Sequence, residues 1–469
     1  MRTDVIVLGA GIIGTSVALQ LAKRGFAVAL VDKRGPGEET SYGNAGIIEG
    51  ETVFPHPFPS DVVTLLRVAA GRAPEANYHL AYLPWVAPWL LTYRAWSSPQ
   101  RLVETAKLMR PLFARALSEH EALMAESGAE HYLRKTGWLK LYRSDHAFGA
   151  TGPERRVADG FGLAYRVLDV DGTRALEPAL APVFRHAVFW EHVASVSNPL
   201  AVTRAYAQRF TELGGRVVNG DAMTLRRSAQ TCRVETSEGS IEAGHAVIAL
   251  GPWTNDFLGA LRLRLPLAVK RGYHRHFHPR GNASLARPVL DAEGGYVLAP
   301  MEQGIRLTTG VEFADRDAPP TPVQFDRVMP NAKRLFPLGQ PVEPSPWMGS
   351  RPCLPDSRPV IGQAPGHPWL WIAAGHAHWG LTLGPATGRL VAEMMSGATP
   401  FCDPRPIGRS ASARFALSPA PRLGRLRAPT GTISGRAPRR PDKPENIAPK
   451  SIMAGTMPGH DQISLRSGH

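Results

Sequence analysis

Residues 4–8, "DVIVL", form an unbroken β-branched and apolar run, the pattern of a strand buried on both faces. Apolar positions then recur at helical spacing through Ile13, Val17, Leu21 and Ala22, so residues 12–24 predict a helix that Gly25 closes. Residues 27–32, "AVALVD", return to an apolar run that ends on an acid. The chain therefore opens on a strand–helix–strand unit. The first residues, "MRTDVIVLGAGIIG", lack a long apolar core and a small-residue cleavage site, so they read as this first strand rather than a signal peptide.

Further along, Leu102, Leu108, Leu112, Leu117 and Leu123 space a long amphipathic helix over 101–127, and 199–213 reads as another. "GRVVNGDAMTLRRS", "CRVETSEGSIEAGHAVIALG" and "LAVKRGYHRHFHP" alternate as strands do, and "GYVLAPMEQGIRLTTG" reads as a strand pair turning at Gln303-Gly304. Residues 385–396 predict a closing helix stopped by Gly397. Helix and strand mix without strict alternation, which suggests an α/β domain interrupted by an α+β one. Residues 78–96 are rich in aromatics but hold His79, Pro84, Pro88 and Arg94, so they suit a buried or partner-facing helix pair, or shallow contact with a membrane surface, better than a span.

Composition changes this picture little: 469 residues, 43% hydrophobic and 20% charged, suit a large soluble core. Cys232, Cys353 and Cys402 have no metal-type or disulfide-framework spacing, so a reducing, cytoplasmic setting fits. The net charge of +14 would suggest nucleic acid if it were spread evenly. It is not. Residues 403–469 carry twelve Lys/Arg against four Asp/Glu, or +8, in a Pro-, Ser- and Gly-rich stretch without apolar periodicity. That stretch reads as a disordered basic tail, with no specific nucleic-acid partner implied.

Candidate chemistry begins at Gly9, Gly11 and Gly14, a GxGxxG that follows a strand, opens a helix and precedes Asp32 at the end of the next strand. Gly9 allows the tight turn, Gly11 lets backbone approach a pyrophosphate, and Gly14 lets helix and strand pack closely. The helix N-terminus favours phosphate, and Asp32 can accept from ribose hydroxyls. "ETSYGNAGII" follows, with hydroxyls at Thr40 and Ser41 and a small turn at Asn44, Ala45 and Gly46; "VIALGPW" brings Gly251 near the cofactor.

At these residues the chain resembles the D-amino acid oxidase superfamily of FAD-dependent oxidoreductases, closest to the bacterial D-amino acid dehydrogenases, from residue 1 to about 402. The likeness is strongest in "VIVLGAGIIGTSVALQLAKRG…VD", "ETSYGNAG" and "GSRPCLPDSRPVIGQAPGHPWLWIAAGHAHWGLTLGPATGRLVAEMMSG". The resemblance implies an FAD-binding Rossmann-like (GR2-type) domain over 1–50, 190–255 and 345–402. A discontinuous α+β substrate domain would take 51–189 and 256–344, with the tail over 403–469. It extends cofactor contact to Ile12, Ile13 and Lys33, and to Gly375, His376, Trp379, Gly380, Leu381 and Thr382 of "GHAHWGLTLG". There the helix that Gly384 and Pro385 would begin turns its positive end to the flavin.

Arg351 matches the family's carboxylate-binding arginine, against the bland alternative of a pair with Asp356. Tyr273 is a second candidate, as hydroxyl donor or wall, and His376 lines the site; Lys270 and Arg271 read as weaker, solvated candidates. His376 and His378 lack a third ligand, so no metal is expected. His274, His276 and His278 read as a solvated strand face, with Tyr273, Arg275 and Phe277 aimed at the flavin. Cys353 sits too close to Pro355-Asp356 for the covalent attachment known in sarcosine oxidases, so noncovalent FAD is expected. The implied function is oxidation of a D-amino acid to an imino acid, then a 2-oxo acid and ammonia, with quinone or oxygen as acceptor. A glycine, sarcosine or D-proline-type enzyme is the nearest rival. A flavin-bearing docking subunit of a larger complex is the more distant one, and the expected location is cytoplasmic, with peripheral contact at the inner face of the membrane as its alternative.

Overall fold

Why the opening strand must be apolar on both faces is clear from its neighbours. In the computed structural model, which describes residues 1–50, 54–59 and 61–405, Arg2–Leu8 runs parallel to Val28–Asp32 on one side and Gly239–Ile248 on the other. Arg216–Asn219 extends the sheet beyond Val28–Asp32, and His367–Ala374 joins it parallel to Gly239–Ile248. On one face Val17, Leu19 and Leu21 of the helix Ile12–Ala22 pack with Leu383 and Leu390 of the closing helix Gly380–Ser396 and with Tyr206 and Phe210 of Pro199–Glu212. Ile6, Leu8 and Ile248 point to the opposite core, against Phe257, Leu258 and Leu354.

A larger mixed sheet stands beside this one. Its long strand Ala268–Pro279 pairs antiparallel with Gly304–Thr309 and with Trp347–Cys353, in a register that sets Lys270 opposite Arg351 and His274 opposite Trp347. The helix Val323–Leu335 covers its far face through Phe325 and Val328.

Pairing and packing cross the sequence-based boundaries; Phe257, Leu258 and Leu265, for instance, pack in the nucleotide-side core although they lie within 256–344. Trp347–Cys353 hydrogen-bonds into the substrate-side sheet although it lies past residue 345. Pro99–Ser127 packs Met109, Leu112 and Phe113 into the nucleotide-side core although it lies within 51–189. The segment 78–96 forms a short strand end, a 3-10 turn and one helix, Leu83–Trp96, rather than a helix pair. Among the described residues no helix is long and apolar enough to cross a membrane. The tail beyond 405 lies outside the described residues.

The closing helix also corrects an expectation. It begins at Gly380, with Trp379 as N-cap, so Gly384 and Pro385 lie inside it. An internal proline leaves the carbonyl four residues back without its donor. Here that carbonyl is Leu381 O, and the buried His120 supplies the missing N–H through Nε2 at 2.7 Å. Tyr206 holds the other ring nitrogen at 2.9 Å. A local sequence rule placed the helix start at the proline; a histidine 261 residues away removes the reason for it.

Candidate active site

The GxGxxG turn is built so that only glycine fits. Gly9 sits at φ +100°, and a Cβ there would come 2.5 Å from Ala249 O; a Cβ on Gly14 would come 1.8 Å from Gly9 O. Helical bonding starts when Thr15 N–H meets Gly11 O at 2.9 Å, so the first-turn N–H groups face the mouth of the turn. Ser41 Oγ accepts from Ile12 N–H at 2.9 Å and ties "ETSYGNAG" to that mouth. Asp32 accepts from Ala10 N–H at 2.6 Å and from Arg34 N–H at 2.9 Å, which fixes the carboxylate while leaving lone pairs for a ribose.

From this cradle one cavity of about 940 Å³ runs past Gly375 and Gly380 to Arg351. Gly9, Gly11, Ile12, Ile13, Asp32 and Lys33 line its first part, with Thr40, Ser41, Asn44, Ala45 and Gly251. Gly375, His376, Gly380 and Leu381 line the middle, at the positive end of the closing helix.

Four expected contacts stand behind the wall instead. Gly14 packs helix on strand. Gly46, at φ +77°, presses on Val196 O. Trp379 lies edge-on to Phe113 at 5.1 Å in the core. Thr382 donates to Ile47 O at 3.1 Å. All four hold the wall in place, three by packing and Thr382 by its hydrogen bond, and none of them lines the cavity.

At the far end Arg351 lies across Gly272, whose missing side chain makes the room: a Cβ would come 2.5 Å from Arg351 Nη2. The guanidinium donates to Gly310 O at 2.9 Å and Thr309 O at 3.4 Å. Asp356 pairs with Arg358 instead, at 3.0 Å. The guanidinium is thus oriented by neutral carbonyls, and among the described residues no carboxylate neutralises it. Burial draws its pKa down from the ordinary value.

The face of Ala268–Pro279 turned to the cavity is the even-numbered one, contrary to the sequence reading. Lys270 and Gly272 line it, and His274 packs on Tyr42 and Trp347. On the other face Phe277 stacks on Phe325 in the core. Arg275 binds Glu343 O. Tyr273 contributes to the wall, but its hydroxyl donates to Glu312 at 2.8 Å and accepts from Thr321 N–H at 2.7 Å, so it is not free to meet a substrate. Arg271 is fully buried against the same Glu312 at 2.7 Å, not solvated.

The histidines on this strand are not a solvated face either. His274 and His276 are buried and only His278 is exposed. His276 meets Glu343 and accepts from Arg306 Nε at 2.9 Å, while Arg306 donates to Tyr42 O at 2.9 Å and Asn44 O. That chain braces the "SYGNAG" turn, a job no spacing rule in the sequence announces. Among the described residues no group of three or more His, Cys, Asp or Glu is placed to hold a metal.

His376 turns its ring away to Thr387 Oγ1 at 3.0 Å, and burial pushes its pKa down to about 3. His56, exposed on the cavity side 5.0 Å from His378, is drawn to about 4 by desolvation and by the charges of Lys140, Lys270 and Arg351, against Glu154. Cys353 is buried at the cavity wall, and burial pushes its thiol up, away from the reactive thiolate.

These buried rings set an acid limit on stability. His120, at about 4, and His376, at about 3, stay neutral in the fold, whereas the unfolded chain protonates them near 6.5. Both states are neutral above 6.5, so the penalty is zero there. Below it each ring costs up to about 1.4 kcal/mol per pH unit until its folded pKa is reached. Thermal unfolding of the flavin-loaded protein is expected to show Tm falling as pH is lowered from about 6.5 to 5. A flat Tm over that window would mean the rings are not held neutral.

A glycine cradle at a helix N-terminus, a ribose-facing acid and one continuous cavity ending on an oriented arginine define an oxidoreductase that works with a bound dinucleotide. The chain belongs to the DAO family of FAD dependent oxidoreductases, whose model matches residues 4–394. It is similar to the D-amino-acid oxidase of Bradyrhizobium diazoefficiens, 29% identical over 415 residues that cover 84% of this chain and 96% of that protein. It is also similar to the D-amino acid dehydrogenase of Paramagnetospirillum magneticum, 30% identical over 410 residues, covering 84% and 95%. In fold it matches the crystal structure of glycine oxidase from Geobacillus kaustophilus, with TM-score 0.67, 22% identity and coverage of 87% of this chain and 98% of that one. The residues present fit FAD: a cavity that opens at the glycine turn of Gly9 and Gly11 beside Asp32, and a helix start at Gly380 on the middle of the same cavity.

Proposed function

We propose that the protein oxidises a D-amino acid at Cα to an imino acid, which water converts to a 2-oxo acid and ammonia. The observation that carries this reading is Arg351: a half-buried guanidinium oriented by Thr309 O and Gly310 O, lining the cavity, and paired with no carboxylate among the described residues. A planar fork in that setting grips a substrate carboxylate in two places and fixes Cα. When bound, FAD supplies the acceptor for the Cα hydrogen and its electron pair. Arg351 sets the substrate's orientation, and the neutral His56 and His378 add no charge to oppose the amine. The helix end at Gly380 adds backbone N–H groups, and the apolar wall of Phe58, Leu83 and Leu90 excludes water.

Purified protein is expected to be yellow and to release FAD on acid precipitation; flavin kept on the precipitate would overturn noncovalent binding. A panel of D-amino acids, glycine and N-methyl amino acids, assayed with an artificial acceptor and by oxygen uptake, tests substrate and acceptor together. Turnover confined to glycine or N-methyl amino acids would replace the D-amino acid reading with the rival.

A peripheral membrane contact has its own observation. Leu66, Leu80, Trp85 and Leu91 are 65–75% exposed on neighbouring segments of the chain, an unusual run for a soluble surface. This supports peripheral contact with a membrane surface, where a quinone would be within reach as the acceptor.

A further inference from the structure

We propose that Lys270 forms a second anion subsite beside Arg351, which fits the site to amino acids whose side chain carries a carboxylate. The inference rests on the amino acid reading above and names its substrate class.

Lys270 and Arg351 are direct partners across two antiparallel strands, so their side chains rise from the same face of the sheet. Both line the cavity. Among the described residues neither has an acidic side chain within 4 Å, and acids of the cavity wall are engaged elsewhere: Asp32 with the N–H groups of Ala10 and Arg34, Glu39 with Arg34, Glu75 with Arg67, Asp221 with Lys33. One cation answers the α-carboxylate. The other is left over.

The setting of the lysine separates it from a surface charge. Its ammonium lies 4.1 Å from the ring centre of Tyr93, 5.0 Å from Trp89 and 5.8 Å from Phe313. Aromatic rings hold a cation in place by their quadrupole but accept few hydrogen bonds. Among the described residues the three N–H donors therefore remain for a ligand, in a wall where attraction to an anion is little screened. A monocarboxylate leaves this cation unanswered; a dicarboxylic amino acid answers both. His56, His378 and Cys353 each feel both charges, which places the two cations in one electrostatic site.

The test compares isosteres that differ in one charge. kcat/KM is measured on the flavin-loaded enzyme for D-glutamate against D-glutamine and for D-aspartate against D-asparagine. The wild type is expected to prefer the acid. Lys270→Met should lower the acid-to-amide ratio by roughly 30-fold or more, and Lys270→Arg should keep most of it. Lys270→Gln serves if the methionine variant fails to retain flavin. In parallel, glutarate and butyrate are titrated against the bound flavin's absorbance. Glutarate should bind more tightly, and Lys270→Met should erase its advantage.

No acid preference in the wild type, or equal losses on acid and amide in Lys270→Met, would overturn the subsite. Neutral amino acids turned over with no dicarboxylate advantage would sink the subsite and leave the amino acid reading intact. Lysine-dependent glutarate binding without turnover of any amino acid would do the reverse.

Discussion

Arg351→Met lowers kcat/KM for the amino acid substrate by roughly 30-fold or more, with KM raised and flavin content unchanged. The side chain keeps its length but loses the fork. Its carbonyl partners, Thr309 O and Gly310 O, lose hydrogen bonds, and the substrate carboxylate loses a charge-assisted pair in a buried wall. Such a loss is on the order of 2–5 kcal/mol. Arg351→Lys recovers part of it, because a point charge cannot reproduce two parallel N–H donors. His376→Ala costs less, since that ring faces Thr387 and the backbone beside it lines the cavity. Steady-state kinetics on the three variants decide the matter. Near-normal kinetics in Arg351→Met beside a dead His376→Ala would reverse both assignments.

The second large effect belongs to Gly14→Ala, which abolishes the flavin-loaded protein. The added Cβ would stand 1.8 Å from Gly9 O, a backbone atom that cannot swing aside. Relief requires the helix Ile12–Ala22 to lift from Arg2–Leu8. That opens the phosphate turn and loosens the core of Val17, Leu19 and Leu21. Overpacking of this kind costs about 1–3 kcal/mol and more where backbone meets backbone. Gly244→Ala is the control, because its Cβ would meet nothing closer than Asp4 O at 3.9 Å. The ratio of flavin to protein absorbance, with Tm, reads the outcome. A yellow Gly14→Ala protein of normal Tm would show that the turn tolerates what its geometry forbids.

Much of the nucleotide half was legible in the chain because its constraints are local. Buried parallel strands need unbroken apolar runs, a tight turn before a helix needs glycine, and a ribose needs an acid at the next strand's end. Residues 4–32 carry all of these within one short window. Of the wall residues, Gly9, Gly11 and Asp32 come from this stretch and Thr40, Ser41, Asn44 and Ala45 from "ETSYGNAGII", while Ile12, Ile13, Lys33 and Arg351 are read through family likeness.

What the sequence by itself determined, then, is the dinucleotide cradle, the family and the arginine that ends the cavity. Only the tertiary structure decided which face of Ala268–Pro279 meets the cavity, because strand alternation gives two faces and says nothing about which is inside. It made Tyr273 a partner of Glu312 and left Lys270 facing the site. It buried His274 and His276 under Trp347 and Arg306. It also carried the closing helix back through Pro385 to Gly380, since His120, far away in the chain, answers the carbonyl that proline leaves bare. Each of these turns on a contact between distant segments, where burial and hydrogen-bond satisfaction outweigh any preference a short stretch of sequence can express.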